Sequence, residues 1–256
     1  MASFLSVQHL SYGYSARAEV VRDISFDLAP GLTVLLGANG AGKSTLMQLI
    51  AGELRPPTGT IFVGGEDVRR SDSWRQRVGW VPQRNAFDPA QRAVDFVADV
   101  GWLRGLDRAT ARQHAVNALR IIGLEDHSTT RLRAMSGGMQ RRAMVAAGIV
   151  HEPDVLLLDE PTAGLDPHHR SSLIRALRDM ASHGTTVLMS THIAADMDSA
   201  DRALILHRGC IAADSSVADF IERYGSVEQG FCAVTEQATD GTQGCLLYTS
   251  DAADEG

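Results

Sequence analysis

The sequence predicts an α/β fold built on a parallel sheet, and three apolar runs carry that expectation. Leu32 to Leu36 leads through a glycine-rich turn into helical spacing from Ser44 to Ala51. Val155 to Leu158 ends at Asp159, Glu160 and Pro161, and its unbroken aliphatic character is that of a strand buried on both faces. Thr185 to Met189 is a third run, β-branched and apolar. Strands of this kind, separated by helical stretches, assemble into a sheet covered by helices.

Two inserts complete the architecture. Phe4 to Leu28 and Thr60 to Val63 alternate as strands suited to a small antiparallel β layer. Residues from about 88 to 150 are mostly helical, with apolar positions at helical spacing in Val94 to Leu103 and in Ala109 to Ile122, where Gly123 interrupts. They predict an inserted helical subdomain. Val217 to Tyr224 and Val227 to Val234 also have helical spacing, but about 30 residues beyond Asp214 are too few for another domain. Residues 245–256 follow no pattern set upstream and resemble a translated sequencing adapter. A single unit over 1–244 with a non-native tail is therefore expected.

Composition narrows the function classes. A chain of 256 residues with 44% hydrophobic content can bury a full core. The net charge of −7, or −4 without Asp251, Asp254 and Glu255 of the tail, comes with no basic block. That argues against nucleic acid as the main partner. The arginine-rich stretch from Arg69 to Arg84 is diluted by Asp67 and Asp72 and holds no recognition motif. Cys210, Cys232 and Cys245 follow neither metal nor disulfide spacing, which suits a reducing compartment. No apolar run approaches a membrane span and Met1 to Leu10 lacks the features of a signal peptide, so a soluble chain is expected.

Lys43 is the one lysine among 24 Lys and Arg residues, and it lies in Gly37-Ala38-Asn39-Gly40-Ala41-Gly42-Lys43-Ser44. A chain otherwise committed to arginine keeps lysine where a compact charge is needed. An ammonium fits between terminal phosphates as a point cation, and a planar guanidinium does not. The glycines let successive backbone N–H groups turn inward at a helix N-terminus as an anion cradle. Ser44 is placed to ligate magnesium, and Thr45 follows in the same turn.

The strand ending at Leu158 delivers two carboxylates. Asp159 is suited to hold magnesium, and Glu160 to polarise a water aimed at a γ-phosphate. Between the two motifs lies Met135-Ser136-Gly137-Gly138-Met139-Gln140-Arg141-Arg142, with Ser136 as the N-cap of a helix whose free N–H groups would welcome another phosphate.

Taken in order, these residues resemble the ATP-binding subunit of ABC transporters over roughly Phe4 to Asp214. Gly37 to Ser44 corresponds to the family's phosphate loop and Gln83, after Val81-Pro82, to its glutamine loop. Ser136-Gly137-Gly138-Met139 corresponds to its signature, and Asp159 and Glu160 to its magnesium and base carboxylates. Ala163-Gly164-Leu165-Asp166 looks like the dimer-contacting aspartate loop, His192 like the switch histidine, and Tyr14 like the aromatic that stacks on adenine, with Tyr12 as the fallback. Met139 and Met135 depart from the commonest signature, and Met139 with the following Gln140-Arg141-Arg142 resembles subunits of the ABC-2 exporter type.

The resemblance implies a head-to-tail dimer, either a homodimer or a pair with a paralogous ATPase subunit, at the cytoplasmic face of the membrane on an integral membrane permease subunit. It implies ATP and Mg2+ at each site. Lys43, Gln83, Glu160 and His192 would act in hydrolysis, while Ser44, Gln83 and Asp159 would hold the metal. Ser136, Gly137, Gly138, Met139 and Asp166 would reach ATP on the partner chain. The helical subdomain would face the membrane subunit, with Phe87, Phe96 and Trp102 as candidates for that contact. The rival class is a soluble ABC ATPase of DNA repair or translation. Repair members carry a long inserted coiled coil and translation members two cores, whereas here only 52 residues separate Gln83 from Ser136 and each motif occurs once. A phosphate-loop kinase or GTPase leaves Ser136 to Met139 and His192 without a role. The adjacent His168 and His169 follow Pro167 at a helix start and are expected on a solvated face.

Overall fold

The computed structural model describes residues 4–15, 18–84 and 86–240. The expected tail at 245–256 lies outside them. Strands β1 (Leu5–Ser15) and β2 (Ala18–Leu28) pair antiparallel, and β3 (Gly31–Leu36) then opens a second sheet. Helix α1 (Lys43–Ile50) follows, and β4 (Thr58–Val63) and β5 (Glu66–Asp67) return to the first layer. After β6 (Val78–Val81) come the helices α2 (Ala93–Leu103), α3 (Arg108–Ile121) and α4 (Gly137–Ile149). The chain continues through β7 (Val155–Asp159), α5 (Pro167–Ser182), β8 (Thr186–Thr191), β9 (Arg202–His207) and β10 (Cys210–Ser216). It closes with α6 (Val217–Tyr224) and α7 (Val227–Asp240).

Among the described residues the strands form two sheets, of order β2-β1-β4-β5 and β10-β9-β3-β8-β7-β6. The first is antiparallel throughout. In the second, β9, β3, β8, β7 and β6 run parallel and β10 pairs antiparallel at the edge. The strand period of two divides the interior. Val155 and Leu157 of β7 face the core that holds α1 and the antiparallel layer, and Leu156 and Leu158 face the core that holds α4 and α5. Each central strand is thus apolar on both faces, which is why it reads as an unbroken hydrophobic run.

Local chemistry sets the helix starts. Asp107 caps α3 by accepting from the Ala109 and Thr110 backbone N–H groups, and Asp166 caps α5 ahead of Pro167. The helical insert is held close to the sheet at Gly148 of α4, where an added Cβ would lie 2.5 Å from Val81 Cγ2. The third apolar run extends further than its sequence suggests. β8 continues two residues past Met189 and buries Ser190 and Thr191 at the carboxyl edge of the sheet, where polar side chains have neighbours to bond.

Candidate active site

The carboxyl ends of β3, β6, β7 and β8 bring most of the predicted residues to one edge. Between β3 and α1 the loop turns through Gly40 at φ 80° and Gly42 at φ 108°, conformations that L side chains rarely adopt. Gly42 is doubly constrained, because a Cβ there would lie 2.8 Å from the Val20 carbonyl. Lys43 is 5% exposed, and its Nζ donates to the Gly37 carbonyl at 2.7 Å and to that of Ala38 at 3.2 Å. The ammonium is thereby curled over its own loop, 3.8 Å from Glu160 Oε1. Burial lowers its pKa, while the charges of Glu160 and Asp159 act in the opposite direction. Asn39, Gly40, Gly42, Lys43, Ser44 and Thr45 line a cleft of about 340 Å³ that Gln83 and Glu160 close on the far side. Tyr14, near the end of β1, is exposed, its hydroxyl 3.3 Å from Thr45 Oγ1 at the start of α1 and its ring edge-on to Tyr12.

Glu160 is the centre of a bonded set. Its Oε2 accepts from Gln83 Nε2 at 3.0 Å, and its Oε1 lies 3.2 Å from His192 Nδ1. Its backbone N–H is held by the Ser190 hydroxyl at 3.0 Å. Its φ is 50°, a left-handed conformation that is strained for glutamate and directs the chain sharply out of β7. Asp159, 2% exposed, accepts from the same Ser190 hydroxyl at 2.5 Å. One serine therefore fixes both carboxylate residues.

The signature residues line a different cleft. Ser136, Gly137, Gly138 and Met139 surround about 770 Å³ together with Ala163 to Asp166, His127 and His169. Gln83 and Glu160 border both clefts, whereas none of Gly40 to Thr45 lines the second and none of Ser136 to Met139 lines the first. Ser136 caps α4 by accepting from the Met139 N–H at 3.2 Å. Gly138 faces Leu165, which an added Cβ would approach to 3.1 Å, so the signature and the aspartate loop abut. Asp166 accepts from the His169 backbone N–H and from its ring Nδ1, and these bonds pull its pKa down to about 2. Ligand atoms of Asp166, His168 and His169 lie within 4.8 Å of one another, closer than two adjacent helical histidines alone would suggest. The Asp166 carboxylate is nevertheless committed to capping and to His169.

Three supporting residues were not evident from the sequence. Ser190 lies just past the end of an apolar run. Asp196 is fully buried, and it accepts from the hydroxyls of Thr162 and Thr191 and from Arg170 Nε. It tethers the segments that follow Glu160 and β8, yet lies in a short 3-10 helix whose sequence carries no pattern. Arg141 stands within the signature stretch, but nothing in the sequence there marks it as buried. Of the aromatic candidates, Phe96 is 7% exposed and packs edge-on to Phe87, whereas Trp102 is 47% exposed beneath Arg108.

The donor set also fits a hard divalent cation. Ser44 offers a hydroxyl and Asp159 a carboxylate, and because the Gln83 amide nitrogen donates to Glu160, its oxygen is the end left to accept a ligand. Oxygen donors of this kind suit magnesium.

A glycine-rich loop between a parallel strand and a helix, with an acidic strand end beside its lysine, defines a phosphate-loop nucleotidase. The ABC transporter family matches residues 21–163, and the chain belongs to it. Within that family it is an ATP-binding subunit, the ATPase that drives a transporter. It is 32% identical to the linearmycin resistance ATP-binding protein LnrL of Bacillus subtilis over 86% of this chain and 72% of that protein. It is 39% identical to the Nod factor export ATP-binding protein I of Paraburkholderia xenovorans, over 78% of this chain and 64% of that protein's length. A solved ATP-binding subunit of an ABC transporter superposes with a TM-score of 0.82 and 27% identity, covering 91% of this chain and all of that one.

Proposed function

We propose that two such ATPase chains pair head to tail and drive export through a separate membrane subunit. The observation that carries the pairing is the separation of the two clefts: the phosphate cradle of Gly37 to Ser44 opens on one side of Glu160 and the cradle of Ser136 to Gly138 on the other. Each cleft has half of the donors that a γ-phosphate needs, so a site becomes complete when a second chain supplies the other half. The names of the two relatives, one for resistance and one for export, favour outward transport.

In the proposed cycle ATP lies with its phosphates on the backbone N–H groups of residues 37 to 44 and its adenine against Tyr14. Lys43 leaves its two carbonyl partners for the phosphate oxygens. Ser44, Asp159 and Gln83 would hold magnesium, which would supply charge neutralisation at the phosphates. Glu160 accepts the proton of the attacking water, and Gln83 and His192 hold its carboxylate in line. Ser136, Gly137, Gly138 and Met139 of the other chain enclose the γ-phosphate, with Asp166 at the chain boundary. The chain sits at the cytoplasmic membrane face, with the helical insert against the permease; Trp102 and Leu103 at the end of α2, with Val116 and Ile121 of α3, are exposed apolar side chains of that insert. Among the described residues no helix is long and apolar enough to cross a membrane.

The test is the solution mass of a Glu160→Gln variant with and without ATP and magnesium. Removing the base while keeping the size and shape of the side chain should trap a dimer with ATP. A variant that binds ATP in the presence of the membrane subunit yet never pairs would refute the shared site.

A further inference from the structure

Arg141 lies one turn into α4, the helix that Ser136 caps, and it is 5% exposed. A buried guanidinium is costly unless its hydrogens are matched, and here the three acceptors are all main-chain carbonyls. Nη1 donates to Pro82 O at 2.5 Å and to Gln83 O at 3.3 Å, and Nη2 donates to Asp159 O. Its Nε is buried with no partner, so the chain tolerates an incomplete bonding set to keep these three bonds. Burial lowers its pKa to about 10, against the opposing pull of Asp159 and Glu160.

The three carbonyls belong to two segments that the Gln83–Glu160 hydrogen bond also joins. One is the loop after β6 that carries Gln83; the other is the end of β7, immediately before Glu160. A single rigid fork on the signature helix therefore holds the main chain on both sides of that bond. A methionine or leucine of similar volume would fill the space without fixing either segment.

We propose that Arg141 is a positioning residue that transmits engagement of Ser136 by the partner's nucleotide to Gln83 and Glu160. Movement of α4 is passed to the two backbones that set the direction of the Glu160 carboxylate. This inference rests on the paired-site reading above.

The experiment is a double-mutant cycle in the full chain, with Ser136→Ala and Arg141→Met alone and together, each hydrolysis rate normalised to the nucleotide the sample binds. Normalisation removes any unfolded fraction. Arg141→Met should lower kcat about tenfold with KM within about threefold. The double variant should lose no more than the worse single variant, within about twofold, because both act through one path. Arg141→Lys, which keeps the charge but cannot span three acceptors, should fall between Met and the parent. Losses that multiply would overturn the transmission role and leave Arg141 structural, as would an unchanged kcat in Arg141→Met. If Ser136→Ala alone leaves hydrolysis intact, the paired-site reading fails first and this inference with it. Should Arg141→Met not fold, the same cycle with Arg141→Gln, which retains two amide hydrogens, carries the same outcomes.

Discussion

Gln83 donates its side-chain amide to Glu160 Oε2 at 3.0 Å across 77 positions of sequence, joining the loop after β6 to the end of β7. The bond fixes which end of the amide faces Glu160 and leaves the amide oxygen for a cation. It also orients the carboxylate that is aimed at the phosphate cleft.

Gln83→Leu keeps the side-chain volume and removes both functions. Hydrolysis should fall by about 10²-fold, within the range that a misplaced base costs, while ATP affinity changes by less than about threefold. Steady-state phosphate release alongside calorimetric titration of ATP separates the two effects.

Lys43→Arg should not be conservative. The ammonium reaches two carbonyls of its own loop at 2.7 and 3.2 Å in a nearly closed space, and a guanidinium is wider and planar. We expect a rise in the Kd for ATP of at least about tenfold, equivalent to about 1.4 kcal/mol. The same titration checks it. An unchanged Kd would show that charge alone, without compactness, holds the nucleotide.

His151 lies in a small cavity with Trp80, Phe96 and Met144, donating Nε2–H to the Val78 carbonyl. Burial, with the nearby Arg104 charge, lowers its pKa from 6.5 to about 4. As pH falls from 6.5 toward 4 the unfolded chain takes up the proton first, so the stability tied to neutral His151 is lost across that window, up to about 3 kcal/mol. His151→Gln retains a donor for Val78 and does not titrate. Urea midpoints at pH 7 and pH 5 should differ less in the variant than in the parent.

Asp196→Ala removes the shared acceptor of Thr162, Thr191 and Arg170, and strands a partly buried arginine. A loss of about 3–5 kcal/mol is expected from breaking a buried pair on one side, measured by chemical denaturation. A loss under about 1 kcal/mol would show that water replaces the carboxylate.

What was legible beforehand divides by distance along the chain. The loop of Gly37 to Ser44 is contiguous, so its chemistry can be read from neighbours, and the central strands announce themselves because both faces are buried. The bonds that orient Glu160 join residues 30 or more positions apart, and no local pattern records them. Ser190 and Thr191 escape local reading because apolar character stops at Met189 while the strand continues. Burial was equally opaque for single aromatics. Trp74 is 2% exposed despite its arginine-rich surroundings, while Trp102, in an apolar helix, faces outward. A helix period assigns a stripe, but only the packed neighbours decide where the stripe stops.

The left-handed backbone at Glu160 has a consequence for how such a chain tolerates change. At φ 50° any L side chain bears a cost of about 1–2 kcal/mol that glycine escapes. A screen that rewards heat resistance alone would therefore accept glycine at this position and discard the carboxylate. Robustness and turnover pull in opposite directions at one residue, so selection for either without the other would drift away from a working motor.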